Sequence, residues 1–97
     1  MEASDIILRL HLEDNVGILL KKAQKDTKAC FNTASGEETV TILEDIPFGF
    51  KIALEDIPEG GLVYKYGNAI GRATTGIKKG QMVHVHNIEG LRATPTK

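Results

Sequence analysis

Ile46-Pro47-Phe48-Gly49-Phe50-Lys51-Ile52 is the stretch from which the fold can be read. An apolar anchor is followed three residues later by glycine, and three residues after that by a second apolar residue. The spacing Ile-x-x-Gly-x-x-[Val/Ile] returns as Ile57, Gly60, Val63 and as Ile77, Gly80, Val83. A weaker copy is Ala23, Asp26, Ala29. The physical reading is an anchor, a tight turn and entry into a strand. Glycine takes the positive φ of such a turn without steric cost, and aspartate tolerates it better than most residues. Pro47 and Pro58 follow their anchors, where proline presets φ for an early turn position and blocks ladder pairing. Gly67, Gly71 and Gly76 add further breaks. Many short strands with Gly/Pro turns, and no long amphipathic helix, predict an all-β fold.

The first half of the chain is consistent with this. Ile6, Leu8, Leu10 and Leu12 alternate with Ile7, Arg9 and His11. That period of two predicts a half-buried strand with Arg9 and His11 on its wetter face, His11 being a rim residue. Glu13-Asp14-Asn15 is a polar break. Residues 16–20 have helical spacing at Val16, Leu19 and Leu20, and Asp14 or Asn15 could cap a helix there. Gly17 and its β-branched neighbours Val16 and Ile18 favour a strand, which is the reading adopted. Ser35-Gly36 makes a turn, and residues 39–43 read as a strand with Val40 and Ile42 on one face.

Near the end, Val83-His84-Val85-His86-Asn87 holds two of the three histidines, one residue apart, with an amide next to them. On a strand, His84 and His86 would stand on one face and Val83 and Val85 on the other. Imidazole is the commonest metal ligand among side chains, and its unperturbed titration lies near neutral pH. His84 and His86 are therefore the candidate catalytic pair, or alternatively a metal-binding pair. No third ligand is close in sequence. The last two copies of the repeat superpose at an offset of twenty, which sets Tyr64 on His84, Lys65 on Val85 and Tyr66 on His86. The tyrosines are read as packing residues at a half-buried rim.

Composition narrows the function classes. Ninety-seven residues make one domain with a modest core. A net charge of −1 supplies no basic surplus for a nucleic-acid partner held by bulk charge. No apolar run approaches the ~18 residues of a membrane span. The start, Met1-Glu2-Ala3-Ser4-Asp5, is acidic and polar, which predicts no secretory signal. One cysteine, Cys30, excludes an internal disulfide and points to a reducing cytoplasm. Cys30 itself reads as a small buried residue.

Taken together, Pro47-x-Gly49-x-Lys51-x-Ala53-Leu54-x-Asp56-Ile57, Lys65-Tyr66-Gly67, Ile70-Gly71, Gly80 and Val83-His84-Val85-His86-Asn87 resemble the amino-terminal domain of the altronate and galactarate dehydratase family. The opening His11-x-x-Asp14-Asn15-Val16 is similar to the way that domain begins. The resemblance implies a small SAF-like β-clip domain over residues 1–91, with 92–97 as a flexible tail. Such proteins dehydrate sugar acids, and their long forms append a large domain; sulfolactate sulfo-lyase divides the pieces into separate subunits. The chain thus resembles a small subunit, or an excised amino-terminal domain, whose active site a large catalytic subunit completes. One departure stands out: the family commonly has Gly-His-Lys where this chain has Gly49-Phe50-Lys51. Phe50 would widen the apolar wall of a pocket.

Dehydration of a sugar acid removes a proton beside a carboxylate and expels a hydroxyl. A base near pH 7 takes the proton and an acid assists the leaving group. In that chemistry His84 and His86 would be the acid/base pair or metal ligands, and Asn87 would hydrogen-bond a hydroxyl or carboxylate. Lys51, Lys65 and Arg72 would offset the substrate's charge. The resemblance implies a divalent metal, Fe²⁺ or Mn²⁺. Three readings follow: a subunit of a sugar-acid hydro-lyase, a subunit of a sulfolactate sulfo-lyase, and a non-catalytic β-clip module that binds carbohydrate or anion or serves assembly. The open strand edges of such a module also invite a homo-oligomer.

Overall fold

The computed structural model describes residues 5–91 of the chain, so the tail expected over 92–97 lies outside the described residues. The chain forms β1 (Asp5–Leu8), β2 (Val16–Leu19), β3 (Lys28–Thr33), β4 (Gly36–Thr41), β5 (Lys51–Ala53), β6 (Leu62–Lys65), β7 (Asn68–Ala73), β8 (Met82–Val83) and β9 (Ile88–Gly90). There is no helix among the described residues, and residues 16–19 are the strand that Gly17 and its neighbours favoured. The strands form a six-stranded sheet in the order β4-β3-β1-β2-β5-β8 and a three-stranded sheet in the order β6-β7-β9. Only β1 and β3 run parallel. The result is the all-β, β-clip type of architecture.

All four copies of the repeat make one and the same turn. Asp26, Gly49, Gly60 and Gly80 have φ of 72°, 87°, 84° and 99°. In each copy the N–H at this position donates to the carbonyl of a facing residue, and that residue's N–H donates back to the carbonyl of the next turn residue. The residue is Leu19 for Gly49, Ala73 for Gly60, Ala53 for Gly80 and, for Asp26, Ile42 directly after β4. The copies also pair with one another. Ala23 and Ile46 exchange both backbone hydrogen bonds, as do Ile57 and Ile77. Asp45, just before Ile46, accepts from Lys25 N–H, while Asp56, just before Ile57, accepts from Lys79 N–H. The weak first copy is therefore a full member of the set, with aspartate where the others carry glycine.

Burial explains why the anchors recur. Every anchor, from Ala23 and Ala29 through Ile77 and Val83, is at most 2 % exposed. They divide between two cores. Ile7, Leu19, Ile42, Ile46 and Ile52 are among the residues of one; Val16, Ala53, Ile57, Val63, Ile77 and Val83 are in the other. The central strands β2 and β5 serve both, β2 through Leu19 and Val16, β5 through Ile52 and Ala53. These two strands thereby lock one half of the molecule to the other.

One face assignment is reversed. The strand expected over residues 6–12 ends at Leu8, and it is Ile7 that enters the core, while Leu8, Leu10 and Leu12 are exposed. Gly17 supplies the reason: a Cβ there would lie 2.3 Å from Ile7 Cγ2, so the missing side chain makes room for the isoleucine. Beyond Leu8 the backbone wraps around Arg9, whose guanidinium donates to the carbonyls of Asp14, Leu12 and Asn32. Those carbonyls are unavailable to a ladder, and the strand stops. Cys30, expected to be buried, is half-exposed on β3.

Candidate functional site

β8 ends at Val83, and residues 84–87 form a turn instead of continuing the strand. The cause is Asn87. Its side-chain amide Nδ2 donates to Met82 O at 2.8 Å and its Oδ1 accepts from His84 N–H at 2.9 Å. The amide thus takes the two backbone groups that a neighbouring strand would otherwise bond. His84 O then accepts from the N–H groups of Asn87 and Ile88. The two imidazoles are consequently not paired across one strand face. His84 is half-buried, His86 is exposed, and Val85 between them is 79 % exposed at the tip. Asn87 is 5 % exposed, with both ends of its amide engaged inside the turn.

His84 meets the segment that follows the Gly49 turn. Its ring lies 4.8 Å from the Phe50 ring, centroid to centroid, at 56°. Lys51, next in line on β5, is in register with Val83 and half-buried. Burial, and secondarily the charge of Lys65, lowers the Lys51 pKa from its ordinary 10.5. Lys65 ends β6, its Nζ 4.5 Å from the centroid of the Tyr66 ring. His84 thus meets Phe50, while the charge of Lys65 acts on Lys51. Arg72 stands on β7, its guanidinium 3.8 Å from the Glu89 carboxylate on β9. His11 is exposed at a rim, as expected, with Nδ1 accepting from Glu13 N–H.

Asp14 and Asn15, read from the sequence as a polar break, as candidate helix caps and as part of the family-like opening, are 3 % and 8 % exposed. Asn15 does for β6 what Asn87 does for β8: its Nδ2 donates to Leu62 O and its Oδ1 accepts from Tyr64 N–H. Met82 and His84 follow Leu62 and Tyr64 by the offset of twenty found in the sequence. The superposition of Tyr64 on His84 is thus matched in the hydrogen bonding, although the chain turns directly after Val83 and only after Lys65 in β6. Asp14 accepts from Tyr66 N–H at 2.9 Å and Gly67 N–H at 2.7 Å. The sequence signal for these roles was the Asn-Val of Asn15-Val16 repeated as Asn87-Ile88.

A stability test follows from Lys51. A lysine whose folded pKa is depressed is held charged at a cost below that pKa. The unfolded chain binds the proton more tightly, so stability rises with pH from the lowered folded value up to 10.5. Lys51→Met is expected to raise the urea midpoint at pH 7 and to flatten this alkaline rise. A variant with the wild-type pH dependence would show that Lys51 is not the group responsible.

The family profile described as the altronate/galactarate dehydratase SAF domain matches residues 5–91. The chain belongs to that family. It is 38 % identical over 80 residues to altronate dehydratase of Escherichia coli (strain K12), an alignment covering 82 % of this chain but 15 % of the relative. Galactarate dehydratase (L-threo-forming) of the same organism is 36 % identical over 76 residues, covering 78 % of this chain and 14 % of the relative. The (2R)-sulfolactate sulfo-lyase subunit alpha of Chromohalobacter salexigens is 41 % identical over 51 residues, 53 % of this chain and 54 % of that one. The SAF domain thus occurs both as a small part of long lyases and in a subunit of a multi-subunit lyase. Among the described residues no helix is long and apolar enough to cross a membrane.

No group of three His, Cys, Asp or Glu side chains that could hold a metal gathers among the described residues. At the histidine turn the ring of His84 packs against Phe50, which is not a metal donor. The described residues do not by themselves fit a divalent ion of the iron or manganese type, which takes a fuller set of nitrogen and oxygen ligands.

Proposed function

We propose that this chain is the small subunit, or amino-terminal domain, of a sugar-acid hydro-lyase of the altronate/galactarate type, and that it contributes part of an active site completed by a large catalytic subunit in the cytoplasm. The observation that carries this is the meeting of the His84 and Phe50 rings at 4.8 Å, directly before Lys51, in a domain of the dehydratase SAF family. His84 and His86 supply imidazoles that hold or accept a proton near neutral pH. Lys51 and Lys65 place positive charge where a substrate carboxylate can lie. Asn87 fixes the turn that presents the histidines, and Arg72 acts only through its distant charge.

A divalent ion such as Fe²⁺ or Mn²⁺ would supply Lewis-acid polarisation of the substrate's carboxylate; since the described residues form no site for it, the partner would hold most of its ligands, with His84 and His86 as this domain's candidates. The sulfolactate branch is the second reading, favoured by the relative in which the domain is part of a separate subunit.

The test is reconstitution. The chain is copurified with the candidate large subunit and assayed against aldonic, aldaric and sulfonated acids with Fe²⁺ or Mn²⁺. The expected result is turnover by the mixture and none by the chain alone. A large subunit that neither binds the chain nor gains activity from it would remove the proposal, leaving the non-catalytic module.

A further inference from the structure

The hairpin between β6 and β7 turns through Tyr66 and Gly67, with φ of 58° and 77°. A two-residue hairpin with both central φ positive is of the type I′ kind, for which Asn-Gly or Asp-Gly is preferred. A tyrosine in this region costs on the order of 1 kcal/mol. Packing does not explain it, because Tyr66 is 53 % exposed. The strained conformation is instead imposed from outside. The Asp14 carboxylate accepts both turn N–H groups, and the His11 ring lies where a Cβ on Gly67 would be 3.0 Å away. A buried carboxylate, with the His11 ring lying beside Gly67, thus holds one exposed aromatic residue at a hairpin tip.

What the tip displays is a ring with the Lys65 ammonium 4.5 Å from its centroid, and Lys65 is close enough to Lys51 for its charge to act there. Among the described residues neither lysine has a carboxylate partner. The Lys65 ammonium, without a counter-charge and beside a ring face that limits where its Nζ can go, makes a place for an anion.

We infer that Tyr66 is a ligand-contacting residue, which together with Lys65 and Lys51 forms a subsite for the carboxylate of a polyhydroxy acid, and that Asp14 is the positioning residue that holds it there. This rests on the reading of Lys51 and Lys65 as substrate-binding groups. It adds the specificity element, an aromatic wall that a hydroxylated carbon chain can lie against while its carboxylate meets the ammonium groups.

The experiment compares stability and binding in the same variants. The chain, labelled with ¹⁵N, is titrated with gluconate, and with sorbitol as the uncharged control. Gluconate should give saturable amide shifts centred on residues 51 and 65–67; sorbitol should give none. Tyr66→Asn creates the preferred Asn-Gly turn, so its melting temperature should equal or exceed that of the wild type while gluconate binding weakens by about tenfold. Tyr66→Gly, which carries no steric penalty at this φ, should give the same pair of results. Lower melting temperatures with unchanged binding would make Tyr66 a structural residue and overturn the inference. So would the absence of saturable shifts at those amides. The reconstitution test is independent: gluconate binding with no lyase activity would retain the subsite and remove the lyase, and lyase activity indifferent to Tyr66→Asn would do the reverse.

Discussion

Gly80→Ala is expected to remove most of the stability of the fold. The added Cβ would lie 2.1 Å from Thr41 O and 3.1 Å from Leu43 Cγ. The backbone there cannot yield easily, since Gly80 N–H donates to Ala53 O and Gly80 O accepts from Leu43 N–H. A shift that relieved the clash would break one of those bonds and pull the fourth turn away from β5. The φ of 99° adds strain for any residue with a Cβ. Overpacking against backbone combined with a lost hydrogen bond belongs among the exceptional substitutions, at about 4 kcal/mol or more. A domain of this size has about 5–15 kcal/mol in all.

The same turn gives an internal control. At Gly49 and Gly60 an added Cβ meets nothing within 4 Å, although φ is 87° and 84°. Alanine there brings the conformational penalty alone, about 1–2 kcal/mol. Urea denaturation of the three variants should therefore rank Gly80→Ala far below the other two. Equal losses at all three positions would show that φ, and not the Thr41 carbonyl, decides the cost.

The sequence carried the fold in the repeat because each copy combines three requirements that one residue type rarely meets by chance. The anchors had to be buried, the turn needed positive φ, and proline could stand where no ladder passed. Even Asp26 in the weak copy satisfied the second requirement, at φ 72°. The strand over residues 6–12 was misread because alternation alone does not say which set faces inward when both sets hold isoleucines. That choice was made by Gly17, ten residues from Ile7 in sequence but in contact with it through the pairing of β1 with β2.

The geometry of the histidine segment was less legible than the turns. Val83-His84-Val85-His86 alternates like a strand and is a turn beyond Val83, where His84 meets Phe50. Periodicity describes side chains, and the strand was ended by a side-chain amide bonding backbone groups, which has no periodic signature. The bonds of Asp14 and Asn15 to the β6–β7 hairpin were illegible for a related reason: their partners lie 47 to 53 residues away.

Ala at His84 or His86 should each lower the turnover of the reconstituted enzyme by about 10²–10⁴-fold, the range for loss of a general acid or base. The expectation is useful because the turn does not depend on either imidazole. It is held by the backbone of His84, the Asn87 amide and the bonds that Asn87 and Ile88 make to His84 O, all of which survive truncation at Cβ. Stability and activity should therefore separate. His84→Ala forfeits the ring contact with Phe50, about 1 kcal/mol. His86→Ala, at an exposed position, should stay within about 0.5 kcal/mol of the wild type. A structural role would give the opposite pattern, with His84→Ala less stable and still active and His86→Ala unchanged in both. Loss of activity in both variants, with the chain still folded and still bound to its partner, is the result that only a chemical role for the pair produces. Wild-type turnover in both would leave the histidine turn as a contact surface and return the catalytic groups to the large subunit.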